Sequence, residues 1–329
     1  RKSLEGHREA LSRINYQEGM GTMLDKSDRL VKLVEEIGED WNFTDTEKSD
    51  VRRAAYLSKS DLATGMVTEF TELQGEMGKE YALLDGEKPK VAAAIFEQYM
   101  PRFAGDVLPK SSIGRALSLS DKLDNLAATF LRGLIPTGSQ DPFALRRQTI
   151  GAVHILTDGE IHWDVRKGVK MALALLPGTQ EEKDTAADKV EDFFRQRIKA
   201  ILLDEGVDYD IVDAVLTGAI DDVYAIFLKA HSMMDSHVKG ELEMRQAVTR
   251  LVNITKGKTA VEIRPELFTE EAEKNLYAAL EKAGEEVTNV YNAYDYGSAL
   301  PALKTLTVPI NQFLDSVMVM VEEEAVRNN

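Results

Sequence analysis

The sequence predicts an all-α protein of more than one helical body, and three observations carry that expectation. Apolar residues recur at 3.6-residue spacing along most of the chain, as in Leu30, Leu33, Val34 and Ile37. Only nine prolines interrupt these patterns, several of them clustered with glycine where turns are expected. A length of 329 residues accommodates two or three cores.

Composition narrows the function classes. The absence of cysteine excludes a disulfide framework and a thiolate metal site, and suits a reducing cytoplasm. No apolar run reaches membrane-spanning length, and no signal-peptide pattern opens the chain. The net charge of −16, from 56 acidic and 40 basic residues, argues against indiscriminate nucleic-acid binding but leaves room for a local basic surface. Five scattered histidines form no constellation, and no Ser-His-Asp set, zinc spacing, Walker loop or Rossmann glycine pattern is present.

In chain order, residues 1–40 read as two helices broken near Gly19-Met20-Gly21. Asp45 or Thr46 is placed to cap a helix running through Val51 to Leu57, and Ser58-Lys59-Ser60-Asp61-Leu62 follows without a breaker. Glu72 to Tyr81 continues this body, with Gly75 and Gly78 suited to close helix–helix packing. Asp85-Gly86-Glu87 is a turn, Val91 to Tyr99 a helix, and Met100 to Pro109 a loop ordered by its prolines and glycine. Ile113 through Leu134 forms a long helix with Asp121 and Asp124 on one face. Lys122 and Asn125 nearby mark that face as solvated or hydrogen-bonded.

Pro136 to Arg147 is a stop followed by a start, a hinge between helical bodies. Pro136 ends one apolar run and Thr137-Gly138-Ser139 supplies turn residues. Asp141 then stands as a helix N-cap with Pro142 at the first helical position, and Phe143, Leu145, Arg146 and Arg147 ride the new helix. Beyond it, His154 reads as a core or boundary histidine, and Gly159, Trp163 and Gly168 punctuate a connector. Residues 180–192 hold six acidic and two basic side chains and read as a solvated linker entering a helix. Val190 opens the last body. From Arg245 to Lys258 the chain carries Arg245, Arg250, Lys256 and Lys258 and no acid, the cleanest basic run in the sequence. Cations there complement a helix C-terminus or, acting together, hold phosphate. Val317 to Val321 is an apolar run suited to a buried helix.

Four of these stretches carry a resemblance. Pro136 to Arg147, Lys59-Ser60-Asp61-Leu62, Glu72-Leu73-Gln74-Gly75-Glu76-Met77-Gly78 and Ser120-Asp121-Lys122-Leu123-Asp124 together resemble the β subunits of bacterial heterotetrameric glycyl-tRNA synthetases. The resemblance covers almost the whole chain and implies a C-terminal portion of such a subunit, without the family's N-terminal domains. It implies a His-Asp (HD) type helical domain over residues 1–136, hinge and connector helices over 137–184, and a DALR-type anticodon-binding bundle over 185–329 that lacks a final helix. Metal-dependent HD phosphohydrolases hold divalent ions with histidines and aspartates. Here the matching positions are Ser60, Asp61 and Asp121, and Gln98 stands where family members tend to have histidine. No histidine lies between His7 and His154, so the implied HD-type domain is catalytically degenerate and holds no transition metal.

The resemblance further implies that an α subunit holds the class II active site with glycine, ATP and Mg²⁺, and that this chain needs no cofactor of its own. Its partners would be tRNA(Gly) and the α subunit in a heterotetramer, in the cytoplasm, with no catalytic residue here. Phe193 to Leu203, Arg250-Leu251-Val252-Asn253, and the segments around Leu300 and Ile310 resemble the DALR-type domain. The expected RNA contacts are Arg245, Arg250, Asn253, Lys256 and Lys258, with Phe193, Phe194, Tyr291 and Tyr294 as aromatic candidates. Two alternatives stand beside this reading. One is an HD-type metal phosphohydrolase using Asp61 and Asp121; the other is a helical scaffold without direct anticodon contact.

Overall fold

The computed structural model describes residues 2–237, 242–257, 262–319, 322 and 329, and among them no strand forms. The fold is all-α, as the periodicity predicts. Sixteen α-helices follow in order among the described residues: α1 (Leu4–His7), α2 (Met23–Asp40), α3 (Asp45–Leu57), α4 (Gly65–Glu69), α5 (Glu76–Leu84), α6 (Pro89–Glu97), α7 (Ser112–Leu131), α8 (Leu145–Asp158), α9 (Val165–Ala174), α10 (Gln180–Asp204), α11 (Tyr209–Val215), α12 (Val223–His237), α13 (Leu242–Thr255), α14 (Glu271–Asn292), α15 (Tyr296–Lys304) and α16 (Thr307–Ser316). Within the described residues, no helix is long and apolar enough to cross a membrane. The chain divides into two compact units, Arg1–Phe227 and Leu228–Asn329.

The first unit is built around α7. Sixteen of its 20 residues are buried, so both its faces are core. It packs against α2, α3, α6, α8, α9 and α10. Leu117, Leu119, Leu123 and Leu126 are fully buried there, each contributing about 1.5–3 kcal/mol by leaving water. Local chemistry starts the surrounding helices. Thr22 with Asp25, Thr44 with Glu47, and Thr179 with Glu182 form reciprocal capping boxes. The cap of α3 is therefore Thr44, not Asp45 or Thr46. A threonine followed three residues later by glutamate satisfies two orphan amides at once.

Other boundaries also differ from the sequence reading. α3 stops at Leu57, because Lys59 adopts the left-handed region at φ 69° and Ser60–Ala63 tightens into a 3₁₀ turn. Asp141 does cap α8, but from farther upstream. Its two carboxylate oxygens accept from the Leu145 and Arg146 amides at 2.8 and 2.9 Å. Ala144, at φ 54°, makes the entry, so Pro142 and Phe143 lie before the helix rather than on it. The acidic run 180–192 is helix rather than linker. α10 buries Ala186, Ala187, Val190, Phe193, Phe194, Ile198 and Leu202 and packs on α7, α8 and α9, its charges riding the opposite face. The boundary between compact units thus falls at Phe227/Leu228, whereas the sequence reading opened the last body at residue 185.

In the second unit α14 packs against α15 and α16, and α13 against α16. The apolar run after Asp315 does not extend α16. That helix ends at Ser316, Val317 is extended, and Met318 is 76% exposed. Met320 and Val321 lie outside the described residues.

Candidate functional site

Ser60, Asp61 and Asp121, the positions matched to a metal-binding set, are all buried. They gather around a cluster of cations. The left-handed turn at Lys59 places its Nζ 3.0 Å from Asp121 Oδ2 and 4.1 Å from the centroid of the Tyr99 ring. From α2, Lys26 Nζ lies 3.0 Å from Asp121 Oδ1 and 2.8 Å from Asp124 Oδ2. Arg29, one turn along, donates through Nε to Asp124 Oδ1 at 2.6 Å and through Nη2 to Oδ2 at 3.1 Å. Two cations at i, i+3 on one helix thereby face two carboxylates at i, i+3 on another, a match that helical spacing permits. Tyr16 and Lys26 both donate to Asn125 Oδ1, at 2.8 and 2.9 Å, and close one side. The Asp121–Asp124 face is hydrogen-bonded as expected, but it is not solvated.

Burial sets the electrostatics. Desolvation pushes the Asp121 carboxyl up, but the ammonium groups of Lys26, Lys59 and Lys122 more than reverse this and hold it well below the usual range. Lys122 has no such compensation. Its Nζ donates to two neutral acceptors, Met100 O and Ser118 Oγ, each at 2.7 Å. Burial pulls it down to about 7, with Asp121 only resisting. Lys59 is likewise lowered by burial. Asp61 is raised by burial, although Oδ2 accepts from the Gly75 amide at 2.6 Å and Lys59 attracts it. Gly75 makes that donation at φ +81°, and a Cβ on Gly78 would lie 2.8 Å from Ile95 and 3.2 Å from the Asp61 carboxyl. The two glycines let α5 close over the cluster and against α6.

This donor set does not suit a metal ion. Among the described residues no group of three or more His, Asp or Glu is placed to hold one. Both oxygens of Asp121 face ammonium groups, and one oxygen of Asp61 is taken by an amide. Asp61 Oδ1 and the Ser60 hydroxyl keep no hydrogen-bond partner, but two donors fall short of the six or more oxygens a hard divalent cation takes. Such an ion would also stand beside Lys26 and Lys59. The geometry lends no support to phosphohydrolase chemistry at Asp61 and Asp121. Lys26, Arg29, Lys59 and Lys122 were missed by reading the sequence for ligands. The available signal was a run of cations inside otherwise apolar helical stripes, which only complementary burial explains.

The expected RNA contacts lie in the second unit. Arg245, Arg250 and Asn253 are on α13 and Lys256 just past its end, all exposed. Lys258 lies outside the described residues. At roughly 100° per residue, Arg245, Lys256, Asn253 and Arg250 fall within an arc of about 140°, so they share one broad face. Arg250 is already engaged, donating to Asn311 Oδ1 at 3.2 Å and to Asp315 Oδ1 at 3.0 Å. Among the aromatic candidates, Phe193 and Phe194 are core, with Phe193 5.2 Å from the Phe130 ring. Tyr291 and Tyr294 remain 46% and 43% exposed.

Comparison with known proteins follows the same division. A family model described as glycyl-tRNA synthetase beta subunit matches residues 1–217, and one described as DALR anticodon binding domain matches residues 244–329. The chain is 40% identical over 323 residues to the glycine–tRNA ligase beta subunit of Desulforamulus reducens, covering 97% of this chain and 46% of that protein. It is 41% identical over 330 residues to the corresponding protein of Clostridioides difficile, covering 100% and 48%. Against that of Halothermothrix orenii it is 40% identical over 332 residues, covering 99% and 48%. The chain thus spans just under half the length of the curated relatives it matches.

Proposed function

The chain belongs to the glycyl-tRNA synthetase β-subunit family, and from that premise we propose that it serves attachment of glycine to tRNA(Gly) by binding the tRNA rather than by catalysing the reaction. The α subunit would hold glycine, ATP and Mg²⁺, in a cytoplasmic heterotetramer with this subunit. The first unit would act as a helical body whose metal-site positions are filled by internal ion pairs. The second unit would meet the anticodon arm.

One observation carries this reading. The part matched by an anticodon-binding family model includes most of α13, which with Lys256 just past its end exposes Arg245, Arg250 and Asn253 on one broad face in a chain of net charge −16. Phosphate affinity comes from several cations held together. Arg250 would be shared between Asp315 and RNA, because a phosphate must compete with that carboxylate for the guanidinium.

The test is binding of tRNA(Gly) and an anticodon mutant to the α/β complex at two salt concentrations. Lys256→Ala should weaken binding of both RNAs alike and flatten the salt dependence by about one unit of slope. Asp315→Asn should free Arg250, tighten binding and steepen the slope. An Asn253 contact to a base edge would instead cost about 1–3 kcal/mol for the matching anticodon alone. If Arg250→Ala, Lys256→Ala and Asp315→Asn all leave affinity and slope unchanged, α13 is not the RNA surface.

A further inference from the structure

Within the first unit, packing of α8 against α10 brings two arginines together. Arg146 stands on the first turn of α8 and Arg197 midway along α10. Burial and, after it, the positive charge of Arg146 push the Arg197 guanidinium below its ordinary value, and only Asp141 opposes them. Asp141 is spent elsewhere, because its two oxygens accept from the Leu145 and Arg146 amides. Neither guanidinium finds another acid. The Arg197 Cζ lies 4.5 Å from the centroid of the Phe193 ring, which packs in turn on Phe130. Its Nη2 donates to Gln196 Oε1 at 3.0 Å, while its buried Nη1 has no hydrogen-bond partner. Among the described residues the Arg146 guanidinium makes no hydrogen bond or ion pair. Two like charges side by side, one with a buried donor left unmade, are unfavourable until an anion joins them.

We propose that Arg146 and Arg197 form a phosphate-binding clamp in the first unit, a site distinct from α13. An arginine fork gives two parallel N–H bonds to carboxylate or phosphate alike. Two neighbouring forks need oxygens in more than one plane, which a tetrahedral phosphate presents and a planar carboxylate does not. The Gln196 side chain is exposed, and a phosphate taking its place would receive Nη1 and Nη2 of Arg197 together. The Phe193 ring holds that guanidinium in position beforehand, and Asp141, occupied by amides, does not compete for it. The phosphate belongs to an RNA strand or to a small phosphate compound. Only the RNA source rests on the tRNA-binding reading; the clamp stands on its own geometry.

The test compares the parent α/β complex with Arg146→Gln, Arg197→Gln and Gln196→Ala. Thermal unfolding is followed in inorganic phosphate and in chloride at equal ionic strength, and tRNA(Gly) binding at two salt concentrations. Phosphate should raise the melting temperature of the parent more than that of either arginine variant, since a ligand stabilises the state that binds it. Gln196→Ala keeps both arginines and removes the competitor for Nη2, so it should enlarge the phosphate shift. Each arginine variant should also flatten the salt dependence of tRNA binding by about one unit of slope if the phosphate is that of RNA. An unchanged slope with the phosphate shift lost would support the clamp and assign it to a small phosphate compound. If all three variants match the parent in both measurements, the clamp is overturned. Lys256→Ala, measured alongside, reports on α13 alone, so failure of the clamp and failure of the α13 reading are told apart.

Discussion

Asp121 is held between two ammonium groups, and its removal exposes what the cluster costs. Asp121→Ala leaves Lys26 still paired with Asp124 but strips Lys59 of its closest carboxylate, deep in the first unit. Breaking one side of a buried ion pair typically costs about 3–5 kcal/mol, because an uncompensated charge stays in the core. Urea unfolding should register that loss; a change below about 1 kcal/mol would mean that the ammonium groups are hydrated in the folded state. Lys122 permits a pH test. In the unfolded chain it holds its proton up to about 10.4, whereas folded it releases near 7. Between those values the unfolded state binds more protons, so raising the pH favours folding. The parent protein should therefore gain stability relative to Lys122→Met as the pH climbs from about 7 to 10, and melting temperatures across that range check the sign.

At the scale of the element, helix starts are set by single side chains, although the cap expected at Asp45 or Thr46 falls at Thr44. Thr22, Thr44 and Thr179, each with an acid three residues on, make local bonds that need no tertiary partner. Asp141 belongs to the same class, with one displacement. Its carboxylate takes the first amides of α8 from across the Pro142–Ala144 bend. Asp141→Ala should cost about 0.5–2 kcal/mol, the usual loss for an N-terminal cap, and thermal unfolding against the parent measures it. An unchanged melt would show that α8 is held by packing alone. Helix ends were harder to read. Lys59 carries no sign in its side chain that its backbone will turn left-handed. That turn is enforced by the Asp121 and Tyr99 contacts made with distant residues.

Across the whole molecule, charge is distributed by role rather than spread evenly. The first unit buries Lys26, Arg29, Lys59 and Lys122 together with Asp50, Asp61, Asp121 and Asp124, while Arg245 and Arg250 of α13 are exposed. The internal pairing leads to a metal prediction. Purified protein should carry no stoichiometric transition metal, since among the described residues no group of His, Asp or Glu is placed to hold one and lysine ammonium groups face the Asp121 oxygens a metal would need. Elemental analysis finding about one Mn, Fe or Zn per chain would overturn this.

The sequence by itself determined the helical class. Its family-like blocks pointed to the family that the comparisons show. These are properties of neighbours in the chain, and spacing reports them directly. Only the tertiary structure decided that the acidic run 180–192 is the outer face of a core helix. It alone decided that Arg250 pairs with Asp315, that Lys26, Arg29 and Lys59 lie inside with their carboxylates, and that Lys122 lies inside on neutral acceptors. The physical reason is the same in each case. A charge is drawn to water or to a partner with opposite charge, and which of the two it finds depends on residues dozens of positions away that packing brings beside it.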